Sequence, residues 1–161
     1  YYMVHKASEL KYHTKIITAG RFINDSMGGY IGKKVVKKLI SLGKSIHEAK
    51  VLVLGITFKE NVSDIRNTKV ADIVNELKEY SCNVDVVDPY ASSQEVLNEY
   101  GFPLSSEIGK GYDAVVVAVA HDQYKNLTED YFLSITSDNP LLVDIKGLYR
   151  NKIEKMAYWS L

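Results

Sequence analysis

Between residues 15 and 42 the apolar positions Ile16, Ile23, Met27, Ile31, Val35, Leu39 and Leu42 recur at steps of three, four or seven. That spacing predicts one stripe of a long amphipathic helix. Gly28, Gly29 and Gly32 interrupt it at roughly 1 kcal/mol each relative to alanine. Glycines so close together point either to tight approach by another backbone or to a weak point in the helix, and the pattern leaves both open. Gly43 suits the C-cap. Further on, short apolar runs alternate with helical periodicity. Strands are predicted over residues 51–56, 83–88, 114–120 and 141–146, and helices over 68–80, 92–100 and 128–135, with a closing helix over 151–156. Such alternation implies parallel pairing through right-handed crossovers. The expected fold class is α/β, a Rossmann-like parallel sheet with helices on both faces, preceded by the long helix. Residues 1–45 are expected to form the helical region and residues 46–161 the sheet domain.

Composition narrows the partners. The 161 residues suit one core-forming domain, and twenty basic side chains balance twenty acidic ones, so no overall field draws the chain to nucleic acid or membrane. Lys33, Lys34, Lys37 and Lys38 read as the solvated face of the long helix. The single cysteine, Cys82, excludes an internal disulfide and fits a cytoplasmic protein. No apolar run approaches the ~20 residues of a membrane span, and the first residues lack signal-peptide order. There is no internal repeat. Tyr1-Tyr2-Met3 has no methionine before it, as in a piece of a longer protein.

The segment VLVLGITFKENVSDIRNTKV, residues 51–70, carries the most chemistry. It reads as a buried parallel strand that delivers Lys59, Asp64 and Arg66 to its carboxyl end, the edge where open α/β sheets bind ligands. The other strands end in Asp88-Pro89-Tyr90, His121-Asp122 and Lys146-Gly147. Lys59 and Lys146 are therefore placed to converge on one anionic ligand, and with Arg66 they suggest a phosphate site. The dinucleotide fingerprint is missing, since only Gly55 follows the first strand. Asp88 then reads as the start of a turn rather than a ribose ligand. His5, His13, His47 and His121 show no metal-ligand spacing, and only His121 lies at the ligand edge. Cys82, with no nearby activating group in sequence, reads as a structural thiol.

Five passages resemble the UDP-glucose/GDP-mannose dehydrogenase family over nearly the whole chain: GRFINDSMGGYI (20–31), LGITFKENVSDIRN (54–67), VDPYA (87–91), AVAHDQY (118–124) and VDIKGLY (143–149). Within it the likeness is to the bacterial UDP-N-acetylhexosamine 6-dehydrogenases of capsule and O-antigen synthesis. The resemblance implies an NAD-dependent enzyme that oxidises a sugar C6 alcohol to a carboxylate, in two steps, through a catalytic cysteine. It implies that Phe58 and Lys59 stand at the UDP-sugar site and that Arg66 reaches the NAD pyrophosphate. Lys146 occupies the place where UDP-glucose enzymes usually carry a substrate-contacting arginine. A lysine offers a point charge instead of a bidentate fork, which favours an N-acetylhexosamine substrate.

The resemblance also implies what this chain lacks. Tyr1-Tyr2 resemble the end of a Gly-x-Cys-x-x-x-Asp-Pro-Tyr-Tyr motif, which would place the catalytic cysteine, the catalytic lysine and the glycine-rich NAD domain before residue 1. Cys82 does not match that motif. No residue of this chain is then expected to be catalytic, and the fragment is expected to be inactive alone. The parent is expected to be a homodimer joined through the long helix. The alternatives are a UDP-glucose 6-dehydrogenase, a non-catalytic nucleotide-binding or regulatory module, and an oligomerisation piece built on the glycine-dotted helix.

Overall fold

The computed structural model describes residues 2–10 and 15–161; Tyr1 and His13 lie outside the described residues. A short helix α1 (Tyr2–Glu9) precedes the 27-residue helix α2 (Lys15–Ser41). Then follow β1 (Lys50–Leu54), α3 (Val70–Glu79), β2 (Asn83–Val87), α4 (Ser93–Tyr100) and β3 (Tyr112–Val117). A 3-10 turn (Asp122–Tyr124), α5 (Glu129–Ile135), β4 (Thr136–Asp144) and β5 (Ala157–Ser160) complete the order. All strands pair in parallel, in the order β2-β1-β3-β4-β5. Connections leave β1 and β3 in opposite directions, which opens a crevice at the carboxyl ends of these two strands.

Residues 51–54 of β1, 114–117 of β3 and 141–143 of β4 are apolar at every position because both faces of the sheet are covered there. Val51, Val53, Ala114, Val116, Leu141 and Val143 pack toward α2 and α3, and Val96 of α4 joins this layer. Their neighbours Leu52, Leu54, Val115, Val117 and Leu142 turn to the other face, against Phe132 and Ile135 of α5 and Tyr124 of the 3-10 turn. The expected α/β class with helices on both faces is what the chain adopts.

The glycines of α2 serve close helix packing. A Cβ on Gly28 would stand 2.4 Å from Asp72 Cβ and 2.9 Å from the Lys69 carbonyl oxygen, and one on Gly32 would stand 2.7 Å from Glu76 Cβ. Small residues therefore let α3 lie directly on the second half of α2, where Ile31, Val35 and Leu39 are buried. Gly43 closes the helix at φ +77°, with the Lys44 N–H donating to the Leu39 carbonyl. The predicted stripe is not buried throughout. Ile16 and Ile23 are 88% and 59% exposed, because α3 starts beside Asp25 and Gly28 and the first half of α2 runs past it.

The closing helix expected over residues 151–156 does not form. Glu129, in the first turn of α5, accepts the backbone N–H groups of Glu154, Lys155 and Met156 at 2.9, 2.6 and 3.2 Å. Those donors are satisfied by one carboxylate while the backbone stays irregular, and the chain enters β5 instead. Ile153 and Met156 still pack inward, so their three-residue spacing came from a loop folded over the core.

Candidate functional site

At the end of β1 the chain must turn in very little space. Gly55 does so at φ +91°, and a Cβ there would stand 2.6 Å from Val119 Cβ, so no other residue fits without moving β3's tip. The next residues form a loop along the crevice. Phe58 N–H donates to the Asp64 carbonyl at 2.7 Å, and Asn61 and Asn67 both take left-handed backbone at φ +59°, which asparagine tolerates better than most residues.

Asp88, at the tip of β2, anchors this loop. One carboxylate oxygen accepts the N–H of Ile56 (2.7 Å) and of Thr57 (3.3 Å); the other accepts Tyr90 (2.8 Å) and Ala91 (3.0 Å). The turn expected at Asp88-Pro89 is present, and the same side chain also ties β2 to β1. Burial pushes its carboxyl toward the neutral form, but the N–H donors of Ile56, Tyr90 and Ala91 and the His121 ring outweigh it and hold the group below its ordinary value. His121 is fully buried. Its Nε2 lies 3.0 Å from Asp88 and 3.2 Å from the Thr57 hydroxyl, and its Nδ1 accepts the Asn61 N–H at 2.9 Å.

Above this network lies a cleft of about 200 Å³ whose lining includes Thr57, Phe58, Thr68, Val119, Ile145 and Lys146. Phe58 is 53% exposed there. Lys146 Nζ pairs with Glu60 at 3.3 Å. A backbone N–H at Glu60 and then Lys146 hold that carboxyl below its ordinary value, against partial burial. Phe58 and Lys146 thus come to one cleft from β1 and β4. Lys59 does not line it; this exposed side chain lies with its ammonium 5.5 Å from the centre of the Phe58 ring. A second recess of about 420 Å³ shares Phe58, Asn67 and Lys69 and continues onto α2 at Arg21 and Asn24. The Lys69 ammonium meets Asp25 of α2 at 2.8 Å.

Arg66 opens on a different side, in a recess of about 560 Å³ bordered by Glu95, Asn98 and Glu99 of α4. Asp64 holds its guanidinium with two parallel bonds of 2.9 Å and also accepts the Arg66 N–H at 3.0 Å. The Arg66 side chain, then its backbone N–H, keep the Asp64 carboxyl at about 2. Cys82 is buried just before β2, at the amino edge of the sheet away from the cleft, and burial then Asp113 push its thiol up. Among the described residues no group of three or more His, Cys, Asp or Glu is placed to hold a metal ion. No described helix is long and apolar enough to cross a membrane. Sequence reading passed over Glu60, Asn61, Asn67 and Lys69 as site components. For positions 61 and 67 the signal in the sequence is asparagine itself, which tolerates left-handed backbone; nothing local marks Glu60 or Lys69.

Comparison with known proteins gives the family. A family model described as "UDP-glucose/GDP-mannose dehydrogenase family, UDP binding domain" matches residues 52–151. The chain is 43% identical over 147 residues to the UDP-N-acetyl-D-glucosamine 6-dehydrogenase of Salmonella typhi, covering 91% of this chain and 35% of that protein. It is 44% identical over 150 residues to Protein CapL of Staphylococcus aureus, with 92% of this chain and 35% of CapL covered. Among solved structures it resembles the NDP-N-acetyl-D-galactosaminuronic acid dehydrogenase of Methanosarcina mazei Go1. The TM-score is 0.77 at 27% identity, over 91% of this chain and 31% of that one. The chain thus spans about a third of the length of the curated relatives it matches. With crevice, loop and match falling on the same strands, the chain belongs to the UDP-glucose/GDP-mannose dehydrogenase family, in the region of its UDP binding domain.

Proposed function

We propose that this chain is the C-terminal, nucleotide-binding part of an NAD-dependent UDP-N-acetylhexosamine 6-dehydrogenase, which oxidises the sugar C6 alcohol to a carboxylate for capsule or O-antigen synthesis. Residues 46–161 are the UDP-sugar-binding domain and residues 1–45 belong to a central dimerisation helix. One observation carries the reading. The cleft at the reversal of strand order is built from the very loop, residues 56–69, that lies inside the match to the UDP binding domain. Phe58 offers an exposed aromatic face for a base or sugar, Lys59 beside it a cation, and Lys146 a second cation from β4. A nucleoside diphosphate calls for an apolar surface with positive charge beside it; Lys146 supplies that charge inside the cleft and Lys59 at its exposed margin. The names of the relatives support an N-acetylhexosamine, as does lysine at position 146, where a point charge replaces a bidentate fork.

Arg66 is assigned to the pyrophosphate of NAD. The donor set suits this: Asp64 fixes the guanidinium in place, and the side chain stays 79% exposed for an anion. NAD, when bound, would supply the hydride acceptor for the oxidation at C6. The cysteine required by the family's chemistry is not Cys82, which is buried at the opposite edge of the sheet. We assign that step to the remaining two thirds of the full-length protein.

The test compares UDP-N-acetylglucosamine, UDP-N-acetylgalactosamine and UDP-glucose as substrates of the full-length protein, following NADH absorbance. Preference for an N-acetylated substrate supports the reading, and preference for UDP-glucose overturns the substrate assignment. Residues 1–161 alone are expected to reduce no NAD with any of the three. Turnover by a clean preparation of that fragment would mean that the catalytic apparatus has been misplaced.

A further inference from the structure

His121 is fully buried and touches the β1 loop and the β2 tip where they meet its own segment at the crevice. It stands after β3. Its Nδ1 accepts the N–H of Asn61 in the β1 loop at 2.9 Å, so that nitrogen carries no proton. The neutral ring then bears its proton on Nε2, which faces Asp88 of β2 at 3.0 Å and the Thr57 hydroxyl oxygen at 3.2 Å. Thr57 spends its own hydroxyl proton on the Lys59 carbonyl at 2.8 Å. Every donor in this chain meets an acceptor: imidazole to Thr57 and Asp88, Thr57 to Lys59, Asn61 to imidazole. The residues so fixed, 57, 59 and 61, alternate along the stretch that carries the exposed side chains of Phe58 and Lys59.

We propose that His121 is a positioning residue for the nucleotide-sugar site, its neutral imidazole setting the shape of the Thr57–Asn61 loop and so the presentation of Phe58 and Lys59. This rests on the reading above that these two side chains hold the nucleotide. Aromatic and charged groups enclose the ring. Tyr90 and Tyr124 pack against it with ring centres at 4.9 and 5.6 Å. Of the charged groups near it, Asp88 accepts its proton, while Glu60 and Asp122 are engaged with Lys146 and Lys125. A proton on Nδ1 would set one N–H against another at Asn61 and release the loop.

The experiment measures UDP and NAD affinity by calorimetry on the full-length protein and on its Lys59→Ala, His121→Phe, His121→Gln and Thr57→Val variants. His121→Phe keeps a ring but removes both nitrogens. It is expected to weaken UDP about tenfold or more while leaving NAD within about twofold. His121→Gln, which offers one acceptor and one donor, is expected to recover most of the loss. Should His121→Phe not fold, Thr57→Val interrupts only the hydroxyl link from Nε2 to the Lys59 carbonyl and is expected to weaken UDP by about threefold or more. Nitrogen NMR of the imidazole is expected to show the neutral form protonated at Nε2. UDP affinity unchanged in the His121 and Thr57 variants, or UDP and NAD weakened equally, would overturn the positioning role. If Lys59→Ala weakens UDP and His121→Phe does not, only that role falls. If Lys59→Ala leaves UDP binding intact, the nucleotide assignment of the loop fails and the proposal falls with it.

Discussion

At Asp88 burial and hydrogen bonding act on one carboxyl in opposite directions, and the hydrogen bonds prevail. Its side chain has no exposed surface, and it satisfies four backbone donors where β1 and β2 meet. A carboxyl held below its ordinary value stabilises the fold fully above that value, near pH 4, and this contribution is lost as the pH falls through the folded-state value. Asp88→Asn removes the charge and turns an acceptor into a donor. It should cost about 1–3 kcal/mol at neutral pH. Its stability should also decline less steeply than the parent's between about pH 5 and 3, as measured by urea unfolding at several pH values. Parallel declines would remove Asp88 from the acid response. At Lys59 the expectation concerns binding. Lys59→Ala removes one charge-assisted contact and should raise the KM for UDP-sugar about tenfold in the full-length protein. The exposed Lys110, at the amino edge of the sheet before β3, makes the proper control, and its alanine variant should stay within about twofold. Lys69 would be a poor control. It reads from sequence as part of the exposed start of the helix over 68–80, yet it bridges to Asp25 and borders both recesses beside Phe58.

Among the elements, α2 shows how one helix can meet two different surroundings. Its second half has lost side-chain volume at Gly28 and Gly32 so that α3 can lie against it. Its first half carries Gly20, around which a Cβ would meet nothing within 4 Å. The same substitution should therefore have opposite signs at the two places. Gly28→Ala gains about 1 kcal/mol of helix propensity but must force apart Asp72 and the Lys69 carbonyl, at about 1–3 kcal/mol or more, for a net loss. Gly20→Ala should gain about 0.5–1 kcal/mol. Urea unfolding of residues 1–161 reads both signs directly. Stabilisation by Gly28→Ala would show that the α2–α3 contact is looser than described.

For the whole molecule, the exposed apolar face of α2 bears on assembly. Ile16, Ile23 and Tyr30 follow one another at seven-residue intervals, with Phe22 alongside, and are 88%, 59%, 45% and 75% exposed respectively. Such a patch on one helix calls for cover, and we propose that in the full-length enzyme a second copy supplies it through the same face. The double variant Phe22→Asp/Ile23→Asp should shift the full-length protein from dimer to monomer in sedimentation at micromolar concentration. A monomeric parent, or a variant that stays dimeric, would place the interface elsewhere.

Periodicity in the amino-acid sequence determined the local elements: the helix over residues 15–42, four of the five strands and the α/β class all follow from which face each residue presents. It also singled out the loop after β1, because glycine, asparagine and charged residues in succession cannot continue a strand. What tertiary structure decided was partnership. A stripe at helical spacing says that a face is apolar but not where α3 will end, so Ile16 and Ile23 were indistinguishable from Ile31. Spacing at 153 and 156 could not reveal that Glu129, more than twenty residues earlier, would satisfy the backbone there and leave it irregular. Nor could strand ends show which tips would share a cleft: Lys146 joins Phe58, Lys59 points outward, and Arg66 serves another recess. His121 and Asp88 acquire their roles only when three strand tips meet. Hydrogen-bond satisfaction and burial belong to pairs of groups distant along the chain, and no local pattern encodes them.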